Sequence, residues 1–192
     1  MWVKSLENKF IDYIDELSNN LDSLKENLFV EIEQTVHYIK KSLNSGGKII
    51  FFGNGGSASD SQHLCAEFVG RYKKNRNPLA AISLNTDTSI LTAVANDMGY
   101  EKVFERQVQA LANKEDVLFA ISTSGKSKNV INAVLAGKKK GIKTISLTGK
   151  NDSELSSLSD ISIKAPSDKV NHIQEMHILI GHFICEMIEK DI

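Results

Sequence analysis

Two kinds of hydrophobic pattern follow one another along the 192-residue chain. Over residues 3–45, apolar side chains recur at intervals of three and four, which is the spacing of amphipathic helices. A polar stretch at 18–23 predicts a break there, and therefore two helices. We interpret residues 1–45 as this helical pair, which could form an oligomer interface, cover a sheet or serve a simple structural role.

From residue 46 the pattern changes to short, uninterrupted apolar runs. Such runs are typical of strands covered on both faces, and they lie at 48–53, 79–84, 116–122, 143–149 and 160–165. Helical spacing occupies the stretches between them, at 57–74, 86–96, 101–112, 127–140 and 169–190. Strands that alternate with helices predict an α/β fold for residues 46–192. We expect a parallel sheet of about five strands with helices on both faces, doubly wound and flavodoxin-like.

The composition narrows the possible functions. A hydrophobic content of 41% is ample for a core, and a net charge of −1 argues against a general nucleic-acid binder. No apolar stretch approaches the length of a membrane span, and the first ten residues lack the apolar centre of a signal peptide. We therefore expect a cytoplasmic protein in which Cys65 and Cys185, which lack CxxC spacing, are buried and reduced.

The first turn of functional interest follows the first strand. Ligands of parallel α/β sheets bind beyond the carboxyl ends of the strands, and the sequence there is GNGGS, residues 53–57. Glycines allow the backbone to approach an anion closely at the start of a helix. The spacing is not that of a dinucleotide fingerprint, and a tight strand-to-helix turn without a ligand is an alternative interpretation.

The second turn is ISTSGKSKN, residues 121–129, which offers several hydroxyl groups at a predicted helix start. Hydroxyls and free helix N–H groups together can hold a phosphate, although ordinary helix capping would also use them. The turn is not a P-loop, because the glycine required five residues before Gly125 is replaced by Ala120. The candidate phosphate-binding residues are Ser122, Thr123, Ser124 and Ser127.

Candidate metal ligands lie on two helices. His63 and Glu67 are one helical turn apart and suit zinc, although a surface pair is the commoner use of such residues. On the last helix, His182 follows Gly181, and a glycine within a helix commonly marks a close approach by another backbone or a ligand. Gln174 precedes His182 by about 12 Å along a straight helix, so sharing one metal requires a frayed helix start or two different chains.

Several segments together resemble the phosphoheptose isomerases, a branch of the sugar isomerase (SIS) family. They are GNGGSASDSQHLCAEFVGRY, AVANDMGY, ISTSGKSKNVINA, ISLTGK and HIQEMHILIGHFICEMIE. The resemblance covers nearly the whole chain and implies a single SIS domain whose two leading helices take part in oligomerisation. It also implies a homotetramer with active sites between subunits. Enzymes of this family interconvert sedoheptulose 7-phosphate and D-glycero-D-manno-heptose 7-phosphate, the first step towards activated heptose for bacterial surface polysaccharide.

The resemblance further implies one zinc ion per subunit and a set of site residues. The positions that match the metal ligands are His63, Glu67, Gln174 and His182. Those that match substrate contacts are Asn54, Gly55, Gly56, Ser57, Glu67, Arg71, Asn96, Asp97, Ser122, Thr123, Ser124, Ser127 and Gln174. Asp60 also matches a polar residue near the site, whereas Asn171 stands where the family often has Asp.

The implied chemistry assigns roles to two of these residues. Conversion of a ketose to an aldose moves a proton between adjacent carbons through an enediol, which requires a base and an acid. We assign Glu67 as the base and His182 as its acid–base partner. A related SIS tetramer has no enzymatic activity and binds the bacterial replication initiator protein. It lacks a histidine at the position of His182, so the presence of His63, Glu67 and His182 here favours the isomerase.

Overall fold

The structure, a computed structural model, describes residues 2–190, with side chains from Lys4 onward. Residues 1, 191 and 192, which the predicted ranges 1–45 and 46–192 include, lie outside the described residues. The helices are α1 (Trp2–Asn27), α2 (Phe29–Asn44), α3 (Gly56–Val69), α4 (Thr88–Met98), α5 (Val103–Leu111), α6 (Lys128–Lys139), α7 (Glu154–Leu158) and α8 (Val170–Lys190). The strands are β1 (Ile49–Gly53), β2 (Ala81–Ser83), β3 (Val117–Ile121), β4 (Lys143–Gly149) and β5 (Ile161–Ala165).

The five strands form one parallel sheet in the order β2-β1-β3-β4-β5. This is the doubly wound order of flavodoxin-like folds, so the predicted fold class is confirmed. The chain reverses its direction of progress across the sheet between β1 and β3, and ligands of such sheets bind beyond the strand ends at that point. The turns after β1 and β3, which carry the predicted glycines and hydroxyls, lie there.

Both faces of the sheet are covered, which explains the uninterrupted apolar runs. Successive side chains of a strand point to opposite faces, so Phe51 and Phe119 enter one core while Phe52 and Leu118 enter the other. The first core is completed by α2, α3 and α8, and the second by α5 and α6. Because neither face of β1 or β3 meets water, polar residues do not alternate along these strands.

The break between the two leading helices lies at Leu28, so the predicted break at 18–23 is wrong. The helix continues through that stretch because Leu17, Leu21 and Leu24 pack against the core while the neighbouring polar residues face solvent. Leu28 leaves the helical conformation with φ −118° and ψ 8°, and its side chain is buried in the core. Packing of an apolar face therefore outweighs the local capping signals. The division of the chain near residue 45 stays a prediction.

Two other larger differences from the prediction are the end of one helix and the presence of an additional helix. The helix expected over 57–74 ends at Val69, and the segment after Gly70 is held by side-chain contacts that are described below. The short helix α7 was not predicted, since its five residues are too few to show a helical period; it is stabilised by a capping box between Ser153 and Ser156. Within residues 2–190, no helix has both the length and the apolar composition of a membrane span.

Candidate active site and metal centre

The glycine turn after β1 is shaped by backbone geometry and by α8. Gly55 has a φ of 58°, a value that residues with a side chain rarely adopt. A Cβ at Gly56 would lie 2.3 Å from the amide nitrogen of Gln174, so a larger residue there would displace this side chain. Ser57, in the first turn of α3, is buried. The turn therefore brings the start of α3 against the start of α8.

The side chain of Asn54 is held in one orientation by two partners. Its Nδ2 donates to Oδ1 of Asn129 at 2.9 Å, and Nδ2 of Asn129 donates back to Oδ1 of Asn54 at 2.9 Å. The hydroxyl of Tyr100 also donates to Oδ1 of Asn54, at 3.1 Å. Sequence reasoning did not single out Asn129 and Tyr100, although both lie within segments that carry the family resemblance. The pair of hydrogen bonds with Asn129 links the turn after β1 to α6.

The hydroxyl turn after β3 is not simply a helix cap. Ser127 occupies the capping position of α6 but makes no side-chain capping hydrogen bond, and its Oγ lies 3.1 Å from Oγ of Ser122. Gly125 has a φ of 61°, and a Cβ there would lie 2.0 Å from Oγ of Ser153. Oδ1 of Asn129 accepts from the N–H group of Val130 at 3.0 Å, whereas no hydroxyl of the turn bonds to the N–H groups of Lys128 and Asn129, which remain suited to an anion.

A cavity of about 250 Å³ opens beside this turn. Thr123 and Ser124 line one side, and Lys150, Ser167 and Ile173 line the other. Pockets that enclose small ligands usually measure about 300–1,000 Å³, so the cavity that one chain provides is slightly smaller than this range.

Three side chains of the type that bind metals converge between α3 and α8. Nε2 of His63 lies 3.1 Å from Nε2 of His182 and 3.2 Å from Oε1 of Glu67. Their ligand atoms all lie within 4.8 Å of one another. We call His63, Glu67 and His182 the trio; its convergence agrees with the expectation from sequence.

The trio is assembled by a close helix contact at Gly181. A Cβ at this position would lie 2.5 Å from Cδ2 of Leu64, so the prediction that another backbone or a ligand approaches here is wrong. The neighbour is a buried side chain of α3. Because Leu64 follows His63 and Gly181 precedes His182, the contact that packs the helices also brings the two imidazoles together.

The geometry of the trio fits a zinc ion. Ligand atoms at about 2.0–2.2 Å from zinc in a tetrahedron lie about 3.3 Å apart, close to the two separations observed. Two imidazole nitrogens this close repel each other unless a proton or a cation lies between them. Burial and the neighbouring His63 lower the pKa of His182, against the opposite effect of Glu67. A neutral imidazole is the form that binds a metal.

Tyr72 is a neighbour of the trio that sequence reasoning missed. Its ring is stacked on that of His182, with centroids 5.5 Å apart and an angle of 22° between the planes. No local pattern distinguishes this tyrosine, because it lies in an irregular segment and meets His182 only through the fold.

A polar face of α3 connects the glycine turn to the trio. Gly56, Asp60, His63 and Glu67 follow one another at intervals of four, three and four, and so share one side of the helix. Oδ2 of Asp60 is buried and has no hydrogen-bond partner among the described residues, and burial raises the pKa of Asp60 to about 6. The rise from Gly56 to His63 is about 10 Å, so one chain keeps the turns and the trio apart.

Gln174 contacts the glycine turn and not the trio. It lies in the second turn of α8, which is helical from Val170, so a frayed helix start does not bring it closer to His182. Its amide group lies against Gly56. Of the two routes by which Gln174 could share a metal with His182, only the one through different chains is left.

The other predicted site residues lie on the surface. Arg71 is exposed in the segment after α3. Asn96 and Asp97 are exposed at the end of α4, where Nδ2 of Asn96 donates to Oδ1 of Asp97 at 2.8 Å. Asn171 donates from Nδ2 to the hydroxyl of Tyr13 at 3.0 Å, so it joins α8 to α1.

Comparisons with known proteins extend over nearly the whole chain. The model of the SIS domain family matches residues 12–149. A phosphoheptose isomerase of Helicobacter pylori strain P12 is 52% identical over 185 residues, which are 96% of this chain and 94% of that protein. The structure of a phosphoheptose isomerase from Neisseria gonorrhoeae matches with a TM-score of 0.91 at 37% identity, covering 96% of this chain and 99% of that one. One from Francisella tularensis matches with a TM-score of 0.92 at 34% identity, covering 95% and 97%.

Proposed function

The chain belongs to the phosphoheptose isomerases of the SIS-domain family, and from this premise we propose that it interconverts sedoheptulose 7-phosphate and D-glycero-D-manno-heptose 7-phosphate. This reaction is an aldose–ketose isomerisation, in which hydrogen moves between two adjacent carbons of a phosphorylated sugar. The observation that carries the proposal is the convergence of His63, Glu67 and His182, whose ligand atoms all lie within 4.8 Å of one another.

Glu67 is the proposed base and His182 its acid–base partner. The carboxylate of Glu67 is partly buried beside His63, where it can remove a proton from the carbon next to the carbonyl and return it to the neighbouring carbon. A neutral His182 can take up or donate the proton that moves between the two oxygens. General acid–base catalysis of this kind contributes about 10²- to 10⁴-fold to the rate.

The trio is also the proposed zinc site, with one ion per subunit. His63, Glu67 and His182 of one chain would hold the ion, and Gln174 could join them only from another subunit. A zinc ion held by these residues would supply a Lewis acid for the carbonyl group of the substrate. Because a carboxylate that binds a metal is a weaker base, the two roles of Glu67 need separate measurements of metal content and of rate.

The turns after β1 and β3 are the proposed substrate-binding elements. Ser122, Thr123, Ser124 and Ser127 would hold the phosphate. The sugar hydroxyls would meet the residues that match the family's other contacts: Asn54, Gly55, Gly56, Ser57, Arg71, Asn96, Asp97 and Gln174. Binding energy from the phosphate, remote from the reacting carbons, can then be used to orient those carbons against Glu67.

A homotetramer with active sites between subunits is part of the proposal. Large apolar side chains are exposed along α1, α2 and α8, including Phe10 (65%), Phe29 (72%) and Phe183 (44%). Exposed apolar surface of this kind is typical of subunit contacts. The small cavity beside the hydroxyl turn and the separation of Gln174 from the trio are also consistent with a site completed by a second chain.

We place the reaction in the cytoplasm, as a step that supplies heptose for lipopolysaccharide or capsule. Cys65 and Cys185 are free cysteines, as expected of a reducing compartment, but the prediction that both are buried is wrong, because Cys65 is only half-buried. The phosphorylated substrate also favours a location inside the cell.

Incubation with sedoheptulose 7-phosphate tests the proposed function. We expect zinc-loaded protein to form the aldose 7-phosphate, detected by nuclear magnetic resonance, and chelation of the metal to lower the rate. Sedoheptulose without the phosphate is the matched control substrate and should react much more slowly. Absence of any aldose from fully metal-loaded protein would contradict the proposal and would favour a binding protein without catalytic activity.

A further inference from the structure

A buried ion pair joins the two helices that carry the trio. Nε of Arg76 donates to Oε1 of Glu189 at 2.9 Å, and the two side chains are only 5% and 3% exposed. The same guanidinium group donates from Nη2 to the backbone oxygen of Glu67 at 2.7 Å and from Nη1 to that of Phe68 at 2.9 Å. Arg76 therefore bonds to the backbone of a trio residue on α3 and to a side chain of α8.

Glu189 also holds the segment that follows α3. Its carboxylate accepts hydrogen bonds from the backbone N–H groups of Tyr72, Lys73 and Lys74, at 2.7, 2.8 and 3.0 Å. Burial raises the pKa of Glu189, but these three bonds and the charge of Arg76 outweigh it and lower the pKa to about 2. The carboxylate is therefore ionised at neutral pH and bonded on both oxygens.

The segment held in this way supplies a direct neighbour of the trio. Tyr72, whose N–H group bonds to Glu189, stacks its ring on His182. Arg76, at the other end of the segment, bonds to the carbonyl group of Glu67. The buried pair of Arg76 and Glu189 is thus connected to both helices of the trio. Arg76 bonds directly to Glu67, and Glu189 is linked to His182 through Tyr72.

We propose that Arg76 and Glu189 are positioning residues that set the placement of Glu67 and His182 relative to each other. The inference rests on the proposed function of the trio as metal site and acid–base pair. A buried ion pair can often be replaced by apolar residues without loss of stability, so stability alone does not account for these charges. Apolar residues could not bond the carbonyl group of Glu67 and three N–H groups at once.

The test uses two variants of the pair and one matched control in the full-length protein. Glu189→Gln keeps the shape but replaces one oxygen by a donor, and Arg76→Lys keeps the charge but loses the planar group that bonds several partners. Glu186→Gln is the control, because Glu186 also lies on α8 and bonds to the same segment, through the exposed side chain of Lys73 at 2.6 Å. Folding is checked by circular dichroism.

The readouts separate positioning from a merely structural role. Zinc affinity is measured by competition with a chelating dye. The absorption spectrum of bound cobalt(II) reports the geometry of the trio, and initial rates with sedoheptulose 7-phosphate give kcat and KM. We expect the two pair variants to lose at least tenfold in zinc affinity and in kcat, to shift the cobalt bands, and to change KM by less than about threefold. Glu186→Gln should match the wild type within about twofold.

Wild-type zinc affinity, cobalt spectrum and kcat in folded pair variants would overturn the inference. If those variants do not fold, Tyr72→Ala decides, because it leaves the buried pair intact and removes only the ring against His182. We expect a shifted cobalt spectrum and a lower kcat, and wild-type values would again overturn the inference. A different result would show that the proposed zinc site itself is wrong. In that case the wild-type protein would bind zinc no more tightly than the His63→Ala variant.

Discussion

Substitution of Gly181 by alanine tests whether the contact between α3 and α8 sets the geometry of the trio. The added Cβ would lie 2.5 and 2.7 Å from the two Cδ atoms of Leu64, against about 3.5–4.0 Å for carbon atoms in ordinary contact. Leu64 is 1% exposed, and because protein interiors are close-packed, movement of its side chain would displace its neighbours in the core. Overpacking of this kind costs about 1–3 kcal/mol, while alanine in place of glycine stabilises a helix by about 1 kcal/mol. We therefore expect the free energy of unfolding to fall by up to about 2 kcal/mol.

The larger effect should be on the metal and on turnover. If Leu64 keeps its rotamer, relief of the clash moves the two helices apart by roughly 1 Å, which returns the carbon atoms to ordinary contact. The distance between His63 and His182 would widen accordingly, whereas metal–ligand distances tolerate only about 0.2 Å. A displacement of 1 Å at an active site can lower the rate by about 10²-fold. We expect a loss of at least about tenfold in zinc affinity and about 10²-fold in kcat.

The assays are urea denaturation, zinc competition and the initial rate with sedoheptulose 7-phosphate. Gly137→Ala is the matched control, because Gly137 lies in α6, away from the trio, and its Cβ would lie 2.3 Å from Cδ1 of Leu118 on β3. The control should lose stability but keep its zinc affinity. A Gly181→Ala protein that is more stable by about 1 kcal/mol and binds zinc like the wild type would refute the reasoning.

Three further predictions concern His177, a buried histidine of α8, and the hydroxyl turn. Burial lowers the pKa of His177 to about 4, so between pH 6.5 and 4 the unfolded chain binds a proton that the folded chain does not. Stability should therefore decrease by up to about 3 kcal/mol as the pH falls through this range, and urea denaturation of His177→Gln should show a flatter dependence. Gly125→Ala, which forces a strained φ of 61° and a clash with Ser153, should raise KM for the sugar phosphate at least tenfold; an unchanged KM would contradict a role for the turn. Ser122→Ala should weaken binding of inorganic phosphate, measured by calorimetry, by about 10- to 100-fold, the effect of one hydrogen bond to a charged group.

The parts of the fold that follow from local pattern could be predicted from the sequence. The runs at β1 and β3 are apolar at every position because both faces of the sheet are covered, and this property is visible in the sequence. The spacing of His63 and Glu67 places them on one side of a helix wherever that helix packs. The position of a helix break is different, because burial of Leu28 and not local polarity decides it.

The parts of the site that depend on contacts distant in sequence could not be predicted. The neighbour of Gly181 proved to be Leu64, more than a hundred residues away, and nothing local distinguishes it from a ligand. Glu189 gave a signal that sequence reasoning passed over, since it continues the buried side of α8 four residues after Cys185. A charged residue on the buried face of a helix needs a partner of opposite charge. Only the three-dimensional structure shows that the partner of Glu189 is Arg76.

The most direct test of the central claim compares initial rates of sedoheptulose 7-phosphate isomerisation for the wild type, Glu67→Gln and His182→Asn, each with its zinc content measured. The account predicts that both variants remain folded and lose about 10²- to 10⁴-fold in kcat, the usual contribution of a general acid or base, and that this loss exceeds any loss of zinc. A metal-loaded Glu67→Gln protein that turns over within a few fold of the wild type would contradict it.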